Sequence, residues 1–405
     1  MRTLLEESFR AAVAAADPLQ ILGAHLPPAP KGRTFVAAAG KAAAAMALAV
    51  ERSFHSQVEG MAITRYGHGL PTKHIRVVEA GHPVPDESGE RAAAEILEQV
   101  KGLGPEDLLL ALLSGGGSSL LSLPAPGLSM PLLKSLTEVL LRSGADIREM
   151  NTVRKHLSAI AGGRLAAASR APVVALIISD VVGDDPTHIA SGPCAPDPTT
   201  VDDAKAVLRK YGVEWGDLLE RAFSESPKPG EAVFSKVKNQ VIATAYRSLE
   251  AAAEVFRRQG IRAEILGDTI TGEAREVGAE MARLARKTKG PAALISGGEC
   301  TVTIENDGAR GGRCSEFLLS LGIELRGMQN AWGIAADTDG IDGSEDNAGA
   351  LWTPDSLERA VRKNISPQAR LARHDSYGFF SALGDLVTTG PTRTNVNDYR
   401  AVLVL

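Results

Sequence analysis

Two glycine- and serine-rich turns are the residues of this chain best suited to anion chemistry. Each follows an apolar run that predicts a buried strand. Residues 108–113 precede Ser114-Gly115-Gly116-Gly117-Ser118-Ser119, and residues 292–295 precede Ser296-Gly297-Gly298-Glu299. A strand ending in such a turn before a helix places backbone N–H groups and hydroxyls at the carboxyl edge of a sheet, where open α/β sheets bind anions. The two turns predict two α/β halves that face one phosphorylated ligand.

Neither turn matches a standard nucleotide motif. The Walker pattern ends in a lysine and a hydroxyl residue, and the dinucleotide fingerprint has a third glycine three residues after its second. Both patterns are absent from the sequence. A run of backbone N–H groups can still hold a phosphate, so Ser114–Ser119 is predicted to bind one. The alternative is an ordinary tight turn at a helix start.

Several cations lie near predicted strand ends or helix starts. Lys41 follows the strand-like residues 35–39 and could neutralise a carboxylate or phosphate, unless it is a solvated first-turn lysine. Arg313, after two glycines, offers a planar fork that suits the same groups. Arg154 and Lys155 fall early in a helix predicted over residues 153–169, where cations oppose the helix dipole. Such an unfavourable position indicates another role, with a solvated helix face as the alternative.

Carboxylates follow two further predicted strands. Asp180 and Asp184, after the strand over residues 173–179, predict a Mg²⁺ site, because magnesium prefers one or two carboxylates with water and substrate phosphates. An ordinary acidic turn is the alternative. Asp337 and Asp339 follow a strand over residues 332–335. Their loop lacks the twelfth-position glutamate and the preceding helix of a calcium loop, which favours a turn at a catalytic edge.

The histidines do not suggest a zinc enzyme or a serine hydrolase. The sequence contains no His-Glu-x-x-His stretch, and no Gly-x-Ser-x-Gly elbow beside a usable histidine. His82, between a glycine and a proline, is the one histidine in an unusual setting. We interpret it as structural.

The elements that must position these residues alternate along the whole chain. Alanine-rich amphipathic helices and short β-branched strands predict βα units around mainly parallel sheets. A length of 405 residues favours two domains. The polar, proline-containing segment 224–230 is the best linker candidate. The expected domains are therefore residues 1–230 and residues 231–405.

The amino-acid composition limits the classes of binding partner that we expect for this protein. Hydrophobic residues make up 44% of the chain, charged residues 23%, and the net charge is −5 without a basic block. We therefore expect neither nucleic acid nor a membrane as partner. The uncharged run over residues 108–133 holds too many glycines and prolines to span a bilayer. Residues 1–10 lack the apolar core of a signal peptide, and three scattered cysteines favour a reducing cytoplasm.

An ordered set of motifs covers nearly the whole chain. They are Ala39-Gly-Lys41-Ala, Gly81-His-Pro-Val-Pro-Asp86, Leu113-Ser-Gly-Gly-Gly-Ser-Ser119, Asn151-Thr-Val-Arg-Lys-His156-Leu-Ser158, Ser179-Asp-Val-Val-Gly-Asp-Asp185, Ser191-Gly-Pro193, Ser296-Gly-Gly-Glu299, Gly311-Gly-Arg313, Asp337-Thr-Asp-Gly-Ile-Asp-Gly343, Thr389-Gly-Pro-Thr392 and Asn395-Val-Asn397-Asp. This set resembles the class II glycerate 2-kinase family, whose C-terminal part is a MOFRL-type domain.

The resemblance implies an enzyme that uses ATP and Mg²⁺ to phosphorylate D-glycerate at its 2-hydroxyl. It implies a Rossmann-like αβα first domain, a smaller α/β second domain and an active site in the cleft between them. The catalytic lysine and arginine of the family fall on Lys41 and Arg313. The chain departs from the family pattern at Cys314 and Ser315, where asparagine and glutamine are common, and at Ala161, where lysine is common. The sequence is compatible with a homodimer.

On this basis we assign roles to the site residues. Ser114–Ser119 and Lys155 bind the nucleotide phosphates, and Asp180 and Asp184 bind the metal. Lys41 and Arg313 hold glycerate and stabilise the transferring phosphoryl group. Glu299, Asp337 and Asp339 orient the substrate or its attacking hydroxyl.

Two rival functions are weighed against this hypothesis. A nicotinamide-dependent hydroxypyruvate or hydroxyacid reductase would suit two α/β domains and a small acid, but its dinucleotide fingerprint is absent. A two-lobed binding protein for small acids would have no need for carboxylates beside glycine loops.

Overall fold

The computed structural model describes residues 1–304 and 309–405. These residues form two compact units. We call residues 18–242 the N-terminal unit, and residues 1–17 together with 243–405 the C-terminal unit. The domain boundary expected after residue 230 stays a prediction. The contact-based division falls after Ile242 and groups the first helix with the C-terminal unit.

The helices of the described residues follow the predicted alternation with strands. They are α1 (Arg2–Ala14), α2 (Pro18–Ile21), α3 (Ala43–Ser53), α4 (Glu87–Lys101), α5 (Gly117–Leu120), α6 (Met130–Arg142), α7 (Ile147–His156), α8 (Arg164–Ala168), α9 (Val201–Lys210), α10 (Asp217–Ala222), α11 (Ala245–Arg257), α12 (Ala274–Lys287), α13 (Arg313–Glu324), α14 (Ser356–Arg362), α15 (Pro367–Ala372) and α16 (Ser376–Leu383). Short 3₁₀ turns cover Leu22–His25, Ile189–Ser191 and Ala232–Lys236.

The strands build one main sheet in each unit. They are β1 (Thr34–Ala39), β2 (Val58–Arg65), β3 (Ile75–Ala80), β4 (Leu108–Leu113), β5 (Val173–Ile178), β6 (Val237–Ala243), β7 (Arg262–Gly267), β8 (Gly272–Glu273), β9 (Ala292–Ser296), β10 (Cys300–Thr301), β11 (Ala331–Asp337), β12 (Gly349–Trp352), β13 (Leu386–Val387) and β14 (Asp398–Val404).

The sheet of the N-terminal unit has the strand order β3-β2-β1-β4-β5-β6. The pairs β3–β2, β2–β1, β1–β4 and β4–β5 are parallel. Strands β1 and β4 are buried along their whole length, which explains their unbroken apolar sequences. This is the Rossmann order, in which chain direction across the sheet reverses between β1 and β4. The predicted Rossmann-like fold is therefore confirmed.

The sheet of the C-terminal unit has the order β13-β12-β11-β14-β9-β7. Here the expectation of a mainly parallel sheet is wrong. In this sheet, among the described residues, β7 and β9 run parallel, while β14 lies between β9 and β11 and is antiparallel to both. The last strand of the chain returns to the middle of the sheet, which an alternation of helices and strands does not reveal.

The two faces of this second sheet bury alternate residues of each strand, as the two-residue period of a strand requires. Ala293 and Ile295 of β9 join a core with α11 and with Leu5 and Phe9 of α1. Leu294, between them, joins the opposite core with α12 and α13. Helix α1 thus completes one face of the C-terminal core, which is why the first residues group with that unit.

The prediction of a single helix over residues 153–169 is wrong. Helix α7 begins earlier, because the Asp146 carboxylate caps it by accepting from the backbone N–H groups of Arg148 and Glu149 at 2.8 and 2.9 Å. It ends at His156, and Gly162 and Gly163 then take positive φ angles of 60° and 84°. Arg154 and Lys155 therefore lie in the last turn of α7, where cations are favourable to the helix dipole.

The second glycine turn also differs from its prediction, since Ser296–Glu299 leads into β10 rather than into a helix. No helix in the described part of the chain combines the length and apolar character that a membrane crossing requires.

Candidate functional site

The loops after β1 and β4 are hydrogen-bonded to each other at the point where the sheet reverses direction. The backbone N–H of Lys41 donates to the carbonyl oxygen of Gly115 at 2.8 Å, and that of Ala42 donates to Ser114 Oγ at 3.1 Å. Gly40 has a φ of 127°, and a Cβ there would overlap Ser114 Oγ. Lys41 is thereby held beside the glycine-serine turn at the carboxyl edge, where open α/β sheets bind ligands.

The glycine-serine turn is enclosed by polar side chains. Gly116 has a φ of 79°, and a Cβ at this position would lie 2.8 Å from His82 Nε2 and 3.5 Å from Lys41 Cγ. Ser191 Oγ donates to Ser118 Oγ at 2.9 Å. The helix that follows, α5, has only four residues. The turn therefore offers N–H groups and hydroxyls rather than a strong helix dipole.

A cavity of about 350 Å³ opens next to this turn. One wall carries His82, Gly116, Ser118, Ser119 and Ser191, and another carries apolar side chains of α6. The lining also includes Arg154 and Ala161. The departure from the family pattern at Ala161 therefore affects the cation content of this cavity.

Lys155 does not face this cavity. Its ammonium lies 2.8 Å from Asp197 Oδ1, and the two side chains are 1% and 0% exposed. Asp197 also accepts from Ser226 Oγ at 2.8 Å and Thr199 Oγ1 at 2.7 Å. Burial alone would raise the pKa of Asp197, but Lys155 and the Thr199 bonds lower that pKa to about 2. Lys155 thus has a buried carboxylate partner within the protein, and its binding to nucleotide phosphates stays a prediction.

Asp180 and Asp184 lie on the loop that follows β5. Asp184 has a positive φ of 55°, and both side chains are partly exposed. Across residues 1–304 and 309–405, no group of three or more His, Cys, Asp or Glu side chains is arranged to hold a metal. Two partly exposed carboxylates on one loop still fit Mg²⁺, because that ion takes its remaining ligands from water and substrate phosphates.

In the C-terminal unit, Arg313 lies at the first position of α13 within a group of carboxylates. Its Nε donates to Asp398 Oδ1 at 2.7 Å and its Nη2 donates to Asp337 Oδ2 at 2.7 Å. Its Nη1 lies 3.2 Å from Glu299 Oε1. The arginine side chain is one-quarter exposed and that of Glu299 is 55% exposed. The carboxylates therefore fix the orientation of the Arg313 guanidinium, while one edge of that group remains exposed.

Asp398 links Arg313 to a second, fully buried arginine. Arg400 Nη2 donates to Asp398 Oδ2 at 2.7 Å, and the Arg400 guanidinium lies over the Phe317 ring. Burial alone would raise the pKa of Asp398, but the two guanidinium groups hold it below its ordinary value. Because Asp398 stays ionised, Arg313 keeps its position. The sequence motif that ends in Asp398 pointed to this region, although the aspartate itself was not assigned a role.

Asp342 anchors the start of α13. Its carboxylate oxygens accept from the backbone N–H groups of Cys314 at 2.9 Å and Ser315 at 2.8 Å. A Cβ on Gly312 would overlap Asp342 Oδ1, so this approach requires glycine there. The departures at Cys314 and Ser315 leave the anchor intact, because backbone groups make it. The Ser315 hydroxyl instead pairs with Ser376 Oγ at 2.8 Å.

Asp342 gives a first testable prediction. Burial raises its pKa to about 6 from 3.8. The folded protein therefore binds a proton that the unfolded chain lacks between about pH 4 and 6, and stability rises as pH falls through that window. Urea unfolding of wild type and Asp342→Asn at pH 7.5 and 5 should show the wild type gaining about 1–1.5 kcal/mol relative to the variant at pH 5. Parallel pH profiles would contradict this assignment.

The remaining predicted residues occupy the same C-terminal region. Asp337 and Glu299 both contact Arg313, as described above. Asp339 Oδ1 accepts from the backbone N–H of Ile341 at 2.9 Å, and the Asp339 N–H donates to Asp337 Oδ1 at 3.0 Å. The structure thus brings Glu299, Asp337 and Arg313 together, with Asp339 adjoining them through its backbone.

The fold and these residues define a two-unit α/β protein with polar groups suited to a phosphorylated, anionic ligand. Comparison with known proteins gives the family. Residues 4–223 match a domain of unknown function, DUF4147, and residues 292–398 match the MOFRL family. The chain belongs to the class II glycerate kinase family, in which these two regions occur together.

Individual relatives cover almost the entire chain. A Pyrococcus horikoshii protein named glycerate 2-kinase is 41% identical over 92% of this chain and 88% of its own length. An Agrobacterium vitis protein carrying the name hydroxypyruvate reductase is 50% identical over 100% of this chain and 94% of its own. The crystal structure of a Thermotoga maritima glycerate kinase matches with a TM-score of 0.91 and 38% identity, covering 100% and 99% of the two chains.

Proposed function

We propose that this protein phosphorylates D-glycerate at the 2-hydroxyl, with ATP as donor and 2-phosphoglycerate and ADP as products. The observation that carries the proposal is the match to the Thermotoga maritima glycerate kinase over the whole of both chains at 38% identity. Agreement over both units matters, because the candidate site residues are distributed over the full length of the sequence.

The chemistry of the site residues supports this reaction. Phosphoryl transfer asks a protein mainly for positioning and for neutralisation of charge on the transferring group. Lys41, fixed beside the glycine-serine turn, and Arg313, fixed by Asp337 and Asp398, are cations held in defined directions. In this proposal they hold glycerate and stabilise the phosphoryl group. Residues Ser114–Ser119 supply N–H groups and hydroxyls to the nucleotide phosphates.

Carboxylates complete the proposed machinery. Asp180 and Asp184 would hold Mg²⁺, which supplies positive charge to the nucleotide phosphates when bound. Glu299, Asp337 and Asp339 orient glycerate or its attacking hydroxyl. Glu299 is the most exposed carboxylate of the Arg313 group. Its side chain can reach a substrate without breaking the two 2.7 Å bonds that hold the arginine.

The reductase name of the Agrobacterium relative makes that activity the second candidate. A nicotinamide enzyme of Rossmann type carries its glycine fingerprint in the loop after β1. Here that loop reads Gly40-Lys41-Ala42-Ala43, with no second or third glycine. The loop after β4 has leucine where the third glycine would stand, at Leu120. These features favour the kinase.

One experiment separates the two candidates. Purified protein is incubated with ATP, Mg²⁺ and D-glycerate, and the product is identified by phosphorus NMR, which distinguishes the 2- from the 3-phosphate. A parallel reaction contains hydroxypyruvate and NADH and is followed at the nicotinamide absorbance band. We expect 2-phosphoglycerate in the first and no absorbance loss in the second. The reverse result would overturn the proposal.

The cellular setting completes the proposal. Cys194, Cys300 and Cys314 are buried and free of disulfide bonds, which supports a reducing cytoplasm as the working compartment.

A further inference from the structure

The cavity of the N-terminal unit has one wall made by a single face of helix α6. Its residues recur every three or four positions, as neighbours on one helix face do: Met130, Leu133, Lys134, Thr137, Glu138 and Leu141. Leu141 is 63% exposed, and Met150 of α7 adds a further apolar side chain to the lining. Four of these seven side chains, Met130, Leu133, Leu141 and Met150, are apolar and could be covered by a ligand.

Arg154 supplies the cavity with a cation that has no protein counterion. Burial lowers the pKa of its guanidinium, and no charged neighbour offsets this. Within residues 1–304 and 309–405 its guanidinium donates no hydrogen bond and forms no ion pair, while its backbone is bonded within α7. Desolvating a charge without a partner is costly, so a position of this kind is explained by an anion that binds there.

The neighbouring cations on α7 and α8 differ from Arg154. Lys155, the next residue, is paired with Asp197. Arg164 donates to the carbonyl oxygens of Lys155 at 2.6 Å and Ser224 at 2.8 Å. Both have partners within the protein and neither lines the cavity, whereas the partly exposed Arg154 lines it.

We propose that this cavity is the nucleotide site, with the base against the apolar face of α6 and the phosphate chain on Arg154 and the serines of the β4 turn. The inference rests on the proposed kinase function and deepens it, since it replaces Lys155 with Arg154 as the phosphate-binding cation. A nucleoside triphosphate combines a flat base with a polyanion, which matches one apolar wall and one polar wall. The volume of about 350 Å³ lies in the range of small-molecule sites. Glycerate, which has almost no apolar surface, would leave the α6 face uncovered.

Two variants test the two ends of the cavity separately. Arg154→Met removes the charge and keeps the length of the side chain. Thr137→Trp fills the space along α6 from a partly exposed position. Arg148→Met is the matched control. Arg148 lies exposed on α7, the helix that also carries Arg154, and it does not line the cavity. Binding of ATP and of inorganic tripolyphosphate is measured by calorimetry on the full chain, and thermal unfolding reports on the fold.

Arg154→Met should weaken both ATP and tripolyphosphate by about 10- to 100-fold, the effect of losing a charged hydrogen bond. Thr137→Trp should weaken ATP by at least about tenfold and leave tripolyphosphate unchanged, because only the base needs the apolar wall. Arg148→Met should bind both probes like wild type. Arg154→Met should also unfold at the wild-type temperature or above it, since it removes a partly buried charge without a counterion.

The outcomes separate this inference from the proposed function. Unchanged ATP affinity in both cavity variants would overturn the nucleotide site even if the wild type makes 2-phosphoglycerate. Failure of the wild type to bind ATP would overturn it as well. A wild type that binds ATP with the expected variant pattern but forms no phosphoglycerate would support the site and contradict the glycerate kinase proposal.

Discussion

Replacement of Arg313 by alanine is expected to lower the turnover number for glycerate phosphorylation by about 10²–10³-fold, the usual effect of removing a group that stabilises developing charge. The structure adds a reason for a large effect. Without the guanidinium, Asp337 and Glu299 lose the cation that they contact at 2.7 and 3.2 Å. The variant would then present uncompensated carboxylates where the proposal places anionic substrates.

Arg310→Ala is the matched control for this prediction. Arg310 lies three residues earlier, is half-exposed, and pairs with Glu345 at 3.0 Å outside the carboxylate group around Arg313. Its replacement should leave the turnover number within about twofold of wild type, since exposed ion pairs contribute little. Arg313→Lys keeps the charge but loses the planar fork, so it should recover only part of the activity. Full turnover in a folded Arg313→Ala protein would remove Arg313 from the mechanism.

Lys155→Met is expected to lower the free energy of unfolding by about 3–5 kcal/mol, the usual result of breaking a buried ion pair from one side. The Asp197 carboxylate would stay fully buried, with hydrogen bonds from Ser226 and Thr199 but no opposite charge beside it. Denaturant unfolding at pH 7 measures the effect. At this pH the wild-type carboxylate is ionised, because its pKa in the folded protein is about 2, and Lys155→Met removes the main contact that lowers this pKa.

Two further variants serve as controls for the Lys155→Met prediction. Lys155→Met combined with Asp197→Asn removes both charges and should recover more than half of the lost stability. Lys101→Met breaks an exposed pair with Glu98 and should change stability by less than about 1 kcal/mol. A single Lys155→Met variant as stable as wild type would show that the pair contributes nothing.

Much of the N-terminal unit could be predicted from the sequence, because its strongest patterns are local. The apolar runs of β1 and β4 indicated buried strands, and the glycine-serine turn after β4 indicated polar groups at the carboxyl edge of the sheet. The hydrogen bond from Lys41 N–H to the carbonyl oxygen of Gly115, which joins the loops after β1 and β4, was not part of that prediction. Positions at strand ends carried this information without any knowledge of the strand order.

Other features depended on contacts between residues distant in sequence. Whether Lys155 or Arg154 faces the cavity depends on the start of α7, which the Asp146 cap sets several residues before the predicted one. The partner of Lys155 lies at Asp197, and no local pattern links the two. The antiparallel insertion of β14 likewise depends on how the last strand pairs with β9 and β11. Burial and strand pairing of this kind cannot be inferred from spacing.

The grouping of α1 with the C-terminal unit has a consequence for biosynthesis. Tyr399, whose hydroxyl donates to Ser8 Oγ at 2.7 Å, belongs to β14, which is synthesised long after α1. The apolar stripe of Leu5, Phe9 and Ala12 therefore lacks its packing partners of this core until α11 has been synthesised, and the strands that complete the core follow later. Until then the stripe is exposed apolar surface, which promotes aggregation and is what chaperones bind. A gene fragment starting at Ala243 would encode a C-terminal unit with one face of its sheet only partly covered.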